Sequence, residues 1–274
     1  MPLLVEDRLP LAGRVAVVTG VSRRRGIGFA IASRLAQMGA SLFLQHWSTN
    51  DAAQQWGADN VGEVMALLRT ELVAGARLAD VGLDLSGADA ADALIEAARA
   101  EMGHLDILVC NHARSGGDGT LADMTPAKLD AHWQVNARST ILATRAFAAQ
   151  HDARAGGRVI WMTSGQQLGP MSDEIAYATS KAALAGMTLS VAHWLIGRNI
   201  VLNTVNPGPV NTGYLDEGVY LPDDVLEKLR DRFPGGDFGQ PDDPARLIAW
   251  LVSDDGRWVV GQVLNSEGGY RREG

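Results

Sequence analysis

Tyr177 and Lys181 stand four residues apart in a stretch, 174–196, whose pattern predicts a long helix. Side chains at i and i+4 share a helix face, so phenol and ammonium can point into one cleft. A lysine beside a tyrosine favours the phenolate and lowers the phenol pKa from its usual value of about 10. A proton donor or acceptor that works near neutral pH needs such a shift. Ser164 follows a β-branched run, 158–163, that reads as a strand. It would stand at that strand's carboxyl end, where open α/β sheets bind ligands.

A second group of residues suits a phosphate. Residues 14–19 read as a buried strand, and Gly20, Gly26 and Gly28 follow it before a helix opens. Gly20 allows a tight turn, Gly26 lets the backbone approach a pyrophosphate, and Gly28 permits close helix–strand packing. The helix start supplies free N–H groups and a positive dipole end. Ser22 and Ile27 lie inside this turn, as do Arg23, Arg24 and Arg25. A carboxylate after the second strand would bind the ribose hydroxyls of NAD. Gln45, His46, Trp47 and Ser48 fill that place, and the next acid is Asp51. Three arginines and no nearby carboxylate favour NADP(H) over NAD(H). The other reading of the arginines is a solvated loop. His46 is either a phosphate contact or an ordinary strand-end histidine.

Elements must hold these groups, and their order is legible. Strands are expected at 14–19, 41–44, 77–83, 105–110, 158–163, 200–205 and 262–265. Helices are expected at 27–36, 61–73, 88–102, 125–150 and 174–196, with Thr125 as N-cap and Pro126 at the first helical position. Alternating strands and helices imply right-handed βαβ units, hence a mostly parallel sheet of about seven strands covered on both faces. Continuous apolar strands agree with burial on both sides. The expectation is one doubly wound α/β domain over residues 1–274. Residues 211–240 break the rhythm with Gly, Pro, Asp and aromatics and suggest a mobile substrate lid.

The formal charge is −8, from 24 Lys and Arg against 32 Asp and Glu. An acidic chain is a poor partner for nucleic acid or an anionic membrane. One cysteine, Cys110, excludes an internal disulfide and a cysteine zinc cage. His104, His132, His151 and His193 show no ligand spacing, so no metal is expected. The start, with Leu3, Leu4 and Val5 followed by Glu6 and Asp7, lacks the pattern of a secretion signal. No run approaches a membrane span, so a soluble, cytoplasmic protein is expected. Trp133, Trp161, Trp194 and Trp250 read as core or subunit packing.

Taken in order, these motifs resemble the classical short-chain dehydrogenase/reductase family, broadly its 3-oxoacyl reductase-type members. The resemblance runs from about residue 13 to residue 270. It rests on the glycine turn, Asp84, the 111–113 segment, Asn136, Ser164, Tyr177 with Lys181, the 206–212 segment and the 261–269 ending. It implies a Rossmann domain and a small-molecule carbonyl or alcohol substrate. Tyr177 would be the acid/base, Ser164 would polarise the carbonyl, and Lys181 would hold the nicotinamide ribose. Asn136 would position a water linked to Lys181. Asp84 and Leu85 would meet the adenine; Asn111, His112 and Ala113 would border the cofactor. Pro207, Gly208, Val210 and Thr212 would approach the nicotinamide. Gln166, Leu168, Tyr214 and Leu215 would line the substrate pocket, with Gln167 and Met171 nearby. A homotetramer or homodimer is also implied.

Two features depart from the family pattern. Five residues, not three, separate Gly20 from Gly26, which leaves open which arginine takes the family's basic position. Arg114 replaces a glycine that normally keeps the backbone near the cofactor, and His112 replaces an asparagine. Longer glycine loops also occur in enoyl-reductase relatives, but those have a wider Tyr–Lys spacing. The reading is an NADP(H)-dependent carbonyl reductase or alcohol dehydrogenase. Alternatives are a non-redox epimerase or dehydratase of the same fold, or a cofactor-sensing regulator without turnover.

Overall fold

Val15–Thr19 forms β1, and every one of its five residues is buried. Val15 and Val17 point into one apolar cluster while Ala16 and Val18 point into the other. A strand with both faces covered must read as a continuous apolar run, and this one does. Each fully buried Val or Leu contributes roughly 1.5–3 kcal/mol of transfer free energy. The computed structural model describes residues 9–272. The Leu3-to-Asp7 segment, read above as unlike a secretion signal, lies outside the described residues.

Around β1 lie β2 (Ser41–His46), β3 (Leu78–Gly82), β4 (Ile107–Cys110), β5 (Gly157–Met162), β6 (Ile200–Asn206) and β7 (Val263–Asn265). They make one seven-stranded sheet in the order β3-β2-β1-β4-β5-β6-β7. All neighbouring pairs are parallel. The chain steps outward from β1 to β3, then returns to β4 on the other side of β1. That reversal opens a crevice at the carboxyl ends of β1 and β4. β2 runs two residues beyond the sequence expectation, because Gln45 pairs with Val81 and His46 with Gly82.

One face of the sheet carries α1 (Ile27–Gln37), α3 (Val61–Thr70) and α9 (Asp242–Val252), which bury Ile31, Leu35, Met65, Leu68 and Ile248. The other carries α4 (Ala90–Met102), α6 (Ser139–Gln150) and α7 (Ile175–Ile196), which bury Leu94, Phe147 and Leu184. Among the described residues, no helix is long and apolar enough to cross a membrane. The helix expected over 125–150 is interrupted. α5 (Pro126–His132) passes through a π turn, Trp133–Arg138, before α6 begins. Such a turn inserts an extra residue into the helical repeat, and here it buries Asn136 completely. Outside residues 211–240, two α-helices went unread in the sequence, α9 and the short α2 (Ser48–Ala52). The 211–240 region is more ordered than a bare loop. It holds α8 (Asp223–Arg230), and Leu215, Leu226, Phe233 and Phe238 form a third apolar cluster. Trp161 is a core residue, and its indole N–H donates to Thr144 Oγ1 at 2.9 Å. Trp133, Trp194 and Trp250 are instead half-exposed on helical surfaces.

Candidate active site

The glycine turn packs as its residues predict. Gly20 has φ +73°, a left-handed conformation that disfavours any side chain. Its N–H donates to Gln45 Oε1 at 3.0 Å, and Gln45 Nε2 donates to Leu83 O at 2.7 Å. One glutamine thus joins the ends of β1, β2 and β3. Gly26 closes the turn by donating to Arg23 O at 3.0 Å, and it precedes α1 with no side-chain cap. The first N–H groups of α1 are therefore left for an anion. A Cβ on Gly28 would collide with Gly20 O and lie 2.8 Å from Asn111 Nδ2. A groove of about 230 Å³ opens here, lined by Gly20, Ser22, Arg23, Gly26 and Ile27 on one side. Asn111, His112, Ala113 and Thr212 line the other. This cradle of glycines and unpaired N–H groups fits a dinucleotide.

Other expected contacts lie apart. His46 turns to Asp80, with Nε2 and Oδ2 3.3 Å apart, and does not line the groove. Asp84 Oδ1 accepts the N–H of Ser86 at 2.8 Å, Leu85 is a core residue, and Val210 is buried. Pro207 and Gly208 border neighbouring cavities instead of this groove.

The three arginines separate into three tasks. Arg23 reaches across the groove and donates to Thr212 O at 2.9 Å. Its guanidinium lies 6.0 Å from the Trp56 ring centroid. Arg24 turns away to Asp59, which it meets through both backbone N–H and side chain. Arg25 pairs with Asp216, 2.9 Å away through Nη2, and lies outside the groove lining. Asp51 accepts a short hydrogen bond from Ser22 and stands inside the groove. The sequence placed it beyond reach; α2 folds it back. Burial is the main influence on its carboxyl and raises its pKa.

Ser164 follows β5, two residues past its end, and Tyr177 lies in the first turn of α7. The Ser164 hydroxyl acts on the phenol and favours its ionised form. Lys181, one turn on, is buried, and its ammonium donates to Met162 O at 2.9 Å. It lies 5.7 Å from the Tyr177 ring centroid. The expectation of a lowered phenol pKa is corrected here. Burial, then the charge of Glu174, push Tyr177 up to about 12 against the lowering effect of Ser164. Burial likewise pushes Lys181 down to about 8. Desolvation opposes both charged forms, and the ammonium is turned to a carbonyl, not to the phenol oxygen.

Asn136 reaches Tyr177 by a different route from the one implied. Its Nδ2 donates to Ser180 Oγ at 2.9 Å, and Ser180 Oγ donates to Tyr177 O at 2.7 Å. It also holds the backbone of Arg114, accepting from its N–H at 2.7 Å and donating to its carbonyl at 3.1 Å. The glycine-to-arginine departure therefore leaves the local backbone anchored. His112 is a wall residue. Its Nδ1 lies 2.7 Å from Thr19 Oγ1 and its Nε2 2.7 Å from Ser139 Oγ. The Val135 carbonyl oxygen, 3.0 Å from Nε2, can only accept, which favours the proton of a neutral His112 on Nε2. Burial, with the Lys181 charge, pushes its pKa down to about 3, and the ring stays neutral.

The chain that folds into this parallel sheet has counterparts among known proteins. Residues 20–271 match a family model described as enoyl-(acyl carrier protein) reductase. An uncharacterized oxidoreductase, YjdA of Bacillus subtilis (strain 168), is 36% identical over 94% of this chain and 97% of its own length. The chain belongs to the short-chain dehydrogenase/reductase family. An NADPH-dependent aldehyde reductase-like protein, chloroplastic, of Arabidopsis thaliana is 33% identical over 96% of both chains. Among solved structures, a short chain dehydrogenase from Burkholderia cenocepacia J2315 in complex with NADP superposes with TM-score 0.80. It is 32% identical over 95% of this chain and 98% of that one.

In this short-chain dehydrogenase/reductase a second cavity, about 400 Å³, opens on Ser164. Tyr214 lines it as expected, with Met171. Three other expected substrate residues do not. Gln166 turns inward to donate to Thr163 Oγ1 at 3.1 Å, Leu168 is exposed, and Leu215 belongs to the third apolar cluster. Glu174 and the chain's end, Glu267, Tyr270 and Arg272, supply walls the sequence reading missed. Arg272 forms a two-point ion pair with Glu267 and lies over Gly165 and Gly169, where any Cβ would strike it. The signal was faint: two glycines just after Ser164, and an arginine far away in sequence.

Proposed function

We propose that this protein is an NADP(H)-dependent oxidoreductase that interconverts a ketone and a secondary alcohol. The observation that carries the reading is that Ser164 opens on the larger cavity and acts on the Tyr177 phenol, with the Lys181 ammonium 5.7 Å from the Tyr177 ring. The nicotinamide, when bound, supplies or accepts the hydride. Ser164 Oγ donates to the carbonyl oxygen and polarises it. Tyr177 Oη delivers its proton to that oxygen in reduction, and takes a proton from the alcohol in oxidation. Lys181, beneath the phenol, stabilises negative charge there and binds the ribose. Asn136 holds the Tyr177 backbone through Ser180.

Arg23 is the arginine we assign to a 2′-phosphate, because it alone of the three lines the groove. The Arabidopsis relative named for NADPH and the Burkholderia structure with NADP support that choice of cofactor. Arg23→Ala is expected to weaken NADPH binding roughly 10- to 100-fold, the worth of a charge-assisted hydrogen bond, and NADH binding far less. Titration of nucleotide fluorescence reads both; equal losses for both nucleotides would remove Arg23 from the phosphate. The reading as a whole is tested by mixing the protein with NADPH and then NADH. Ketones, aldehydes, 3-oxoacyl thioesters and enoyl thioesters are offered in turn, and loss of nicotinamide absorbance is followed. Reduction confined to the enoyl thioesters would overturn the carbonyl assignment.

Residues 211–240 act as the lid in this reading. Arg25–Asp216 and Arg23–Thr212 tie the lid's first turn to the glycine loop, and Trp56 meets Tyr214 and Tyr220 at 6.0 and 5.9 Å. Asp216→Ala should speed nucleotide release about two- to fivefold, since a half-exposed ion pair contributes only about 0–1 kcal/mol. Stopped-flow displacement measures it; an unchanged rate in both Asp216→Ala and Arg25→Ala would detach the pair from lid closure. Met187 and Trp194 lie exposed on one side of α7, and Leu189 and Ile196 on the other, which suits assembly with further copies of the chain.

A further inference from the structure

The long helix α7 starts without a cap of its own. Glu174 precedes it and makes no side-chain cap bond. An α-helix leaves its first N–H groups without intrahelical partners, and in α7 the helical ladder begins only with Ala178 N–H donating to Glu174 O at 2.8 Å. The three N–H groups before it are met from a loop nearly sixty residues earlier. Ile175 N–H donates to Gly119 O at 3.2 Å. Ala176 N–H donates to Asp118 Oδ1 at 2.9 Å, and Tyr177 N–H donates to Asp118 Oδ2 at 2.7 Å. Asp118 Oδ1 also accepts the N–H of Gly119 at 2.9 Å, which fixes the carboxylate in its own loop.

The surroundings hold Asp118 in place. Its side chain is 6% exposed. Lys128 Nζ donates to its backbone carbonyl at 3.0 Å. Behind it, the His132 ring is fully buried, with Nδ1 bonded to Lys128 O at 2.9 Å and Nε2 3.9 Å from Asp118 Oδ2. The loop that carries Asp118 begins at Asn111, and its first residues, 111–113, are a wall of the nucleotide groove. The same segment ends at the π turn, where Asn136 reaches the Tyr177 carbonyl through Ser180. Both sides of the Tyr177 residue, its N–H and its C=O, are therefore held from the 111–136 segment.

We infer that Asp118 is a positioning residue, which locks the first turn of α7 to the groove wall and so sets where the Tyr177 phenol stands. The inference rests on the reading of Tyr177 as the proton-transferring group. Asp118 touches neither reacting atoms nor cofactor and acts only through the backbone of Tyr177. Misplacement of a reacting group by about 1 Å can lower turnover on the order of a hundredfold.

The test uses Asp118→Ala and Asp118→Asn in the full chain. Asp118→Ala should lower kcat about 10- to 100-fold, with the KM for the carbonyl compound and the Kd for NADPH within about twofold of the wild type. Asp118→Asn keeps one acceptor oxygen and should recover kcat to within about fivefold of the wild type. Amide hydrogen exchange supplies a readout that needs no turnover. In Asp118→Ala, exchange should quicken in the peptide covering residues 175–178 and stay unchanged in β1, β4 and β5. Unchanged exchange at 175–178 overturns the cap. So does a fall in kcat matched by an equal loss of NADPH binding, or no recovery in Asp118→Asn. If the wild type reduced no carbonyl compound, the reading of the site would fail, and the exchange measurement would still decide the cap.

Discussion

Tyr177→Phe is expected to lower kcat at least about a thousandfold, near the upper range for a lost general acid or base. NADPH binding should stay within about twofold, because Tyr177 does not line the nucleotide groove. The change removes one hydroxyl and leaves the ring packing, so the cost to stability is at most about 0.5–1.5 kcal/mol, the worth of one hydrogen bond. Pre-steady-state turnover with saturating NADPH separates chemistry from nucleotide binding. A variant that retained a tenth of wild-type kcat would end the assignment of Tyr177.

The direction of the pH dependence follows from the same residue. Burial and Glu174 raise the phenol to about 12, so at neutral pH Tyr177 carries its proton. Carbonyl reduction needs that protonated form and should vary little between pH 6 and 8. Alcohol oxidation needs the phenolate and should rise with pH over the same range. Lys181, lowered to about 8, loses its charge near the top of that range and with it the support for a phenolate. The rise in oxidation should therefore flatten as the ammonium deprotonates. Rates measured in both directions over this range check the pair of slopes.

The sheet and the glycine turn were legible because their causes are local. Val15 to Thr19 is apolar because both faces of β1 are covered, and Gly20 is a glycine because its φ is positive. Tyr177 and Lys181 were legible by helical spacing alone. What stayed hidden depends on chain segments that meet only after folding. Asp51 entered the groove because α2 folds back, which no property of residues 45–51 announced. Asp118 caps a helix from 59 residues away. The sequence left open which arginine meets the cofactor, and the partners of Arg24 and Arg25, Asp59 and Asp216, lie far from them in the chain. Burial misled in the other direction. The lysine was expected to lower the tyrosine pKa, but burial dominates at both residues. The π turn shows the same limit: the apolar pattern of 125–150 is helical throughout, while the side-chain bonds of Asn136 that hold this turn are to residues 114 and 180.

Gly28→Ala should damage nucleotide binding more than any change of a charged residue in the loop. A Cβ at this position would collide with Gly20 O and lie 2.8 Å from Asn111 Nδ2 and 3.0 Å from Gly20 C. Two of those atoms are backbone, and Asn111 Nδ2 is held by Thr19 O at 3.1 Å and Gly20 O at 3.3 Å, so none can move aside cheaply. α1 must shift away from β1 instead. Overpacking of this kind costs about 1–3 kcal/mol, which for a chain of this size lowers Tm by roughly 2–4 °C per kcal/mol. The larger effect falls on binding. The N–H groups at the start of α1 point at the groove, and a shift of the helix moves all of them together. The Kd for NADPH should rise at least about a hundredfold, more than the loss of Arg23 alone, because several N–H contacts to phosphate are lost at once. Calorimetric titration, with a thermal scan of the same sample, separates the two effects. NADPH binding within twofold of the wild type would mean that the cradle around Gly28 does not hold the pyrophosphate.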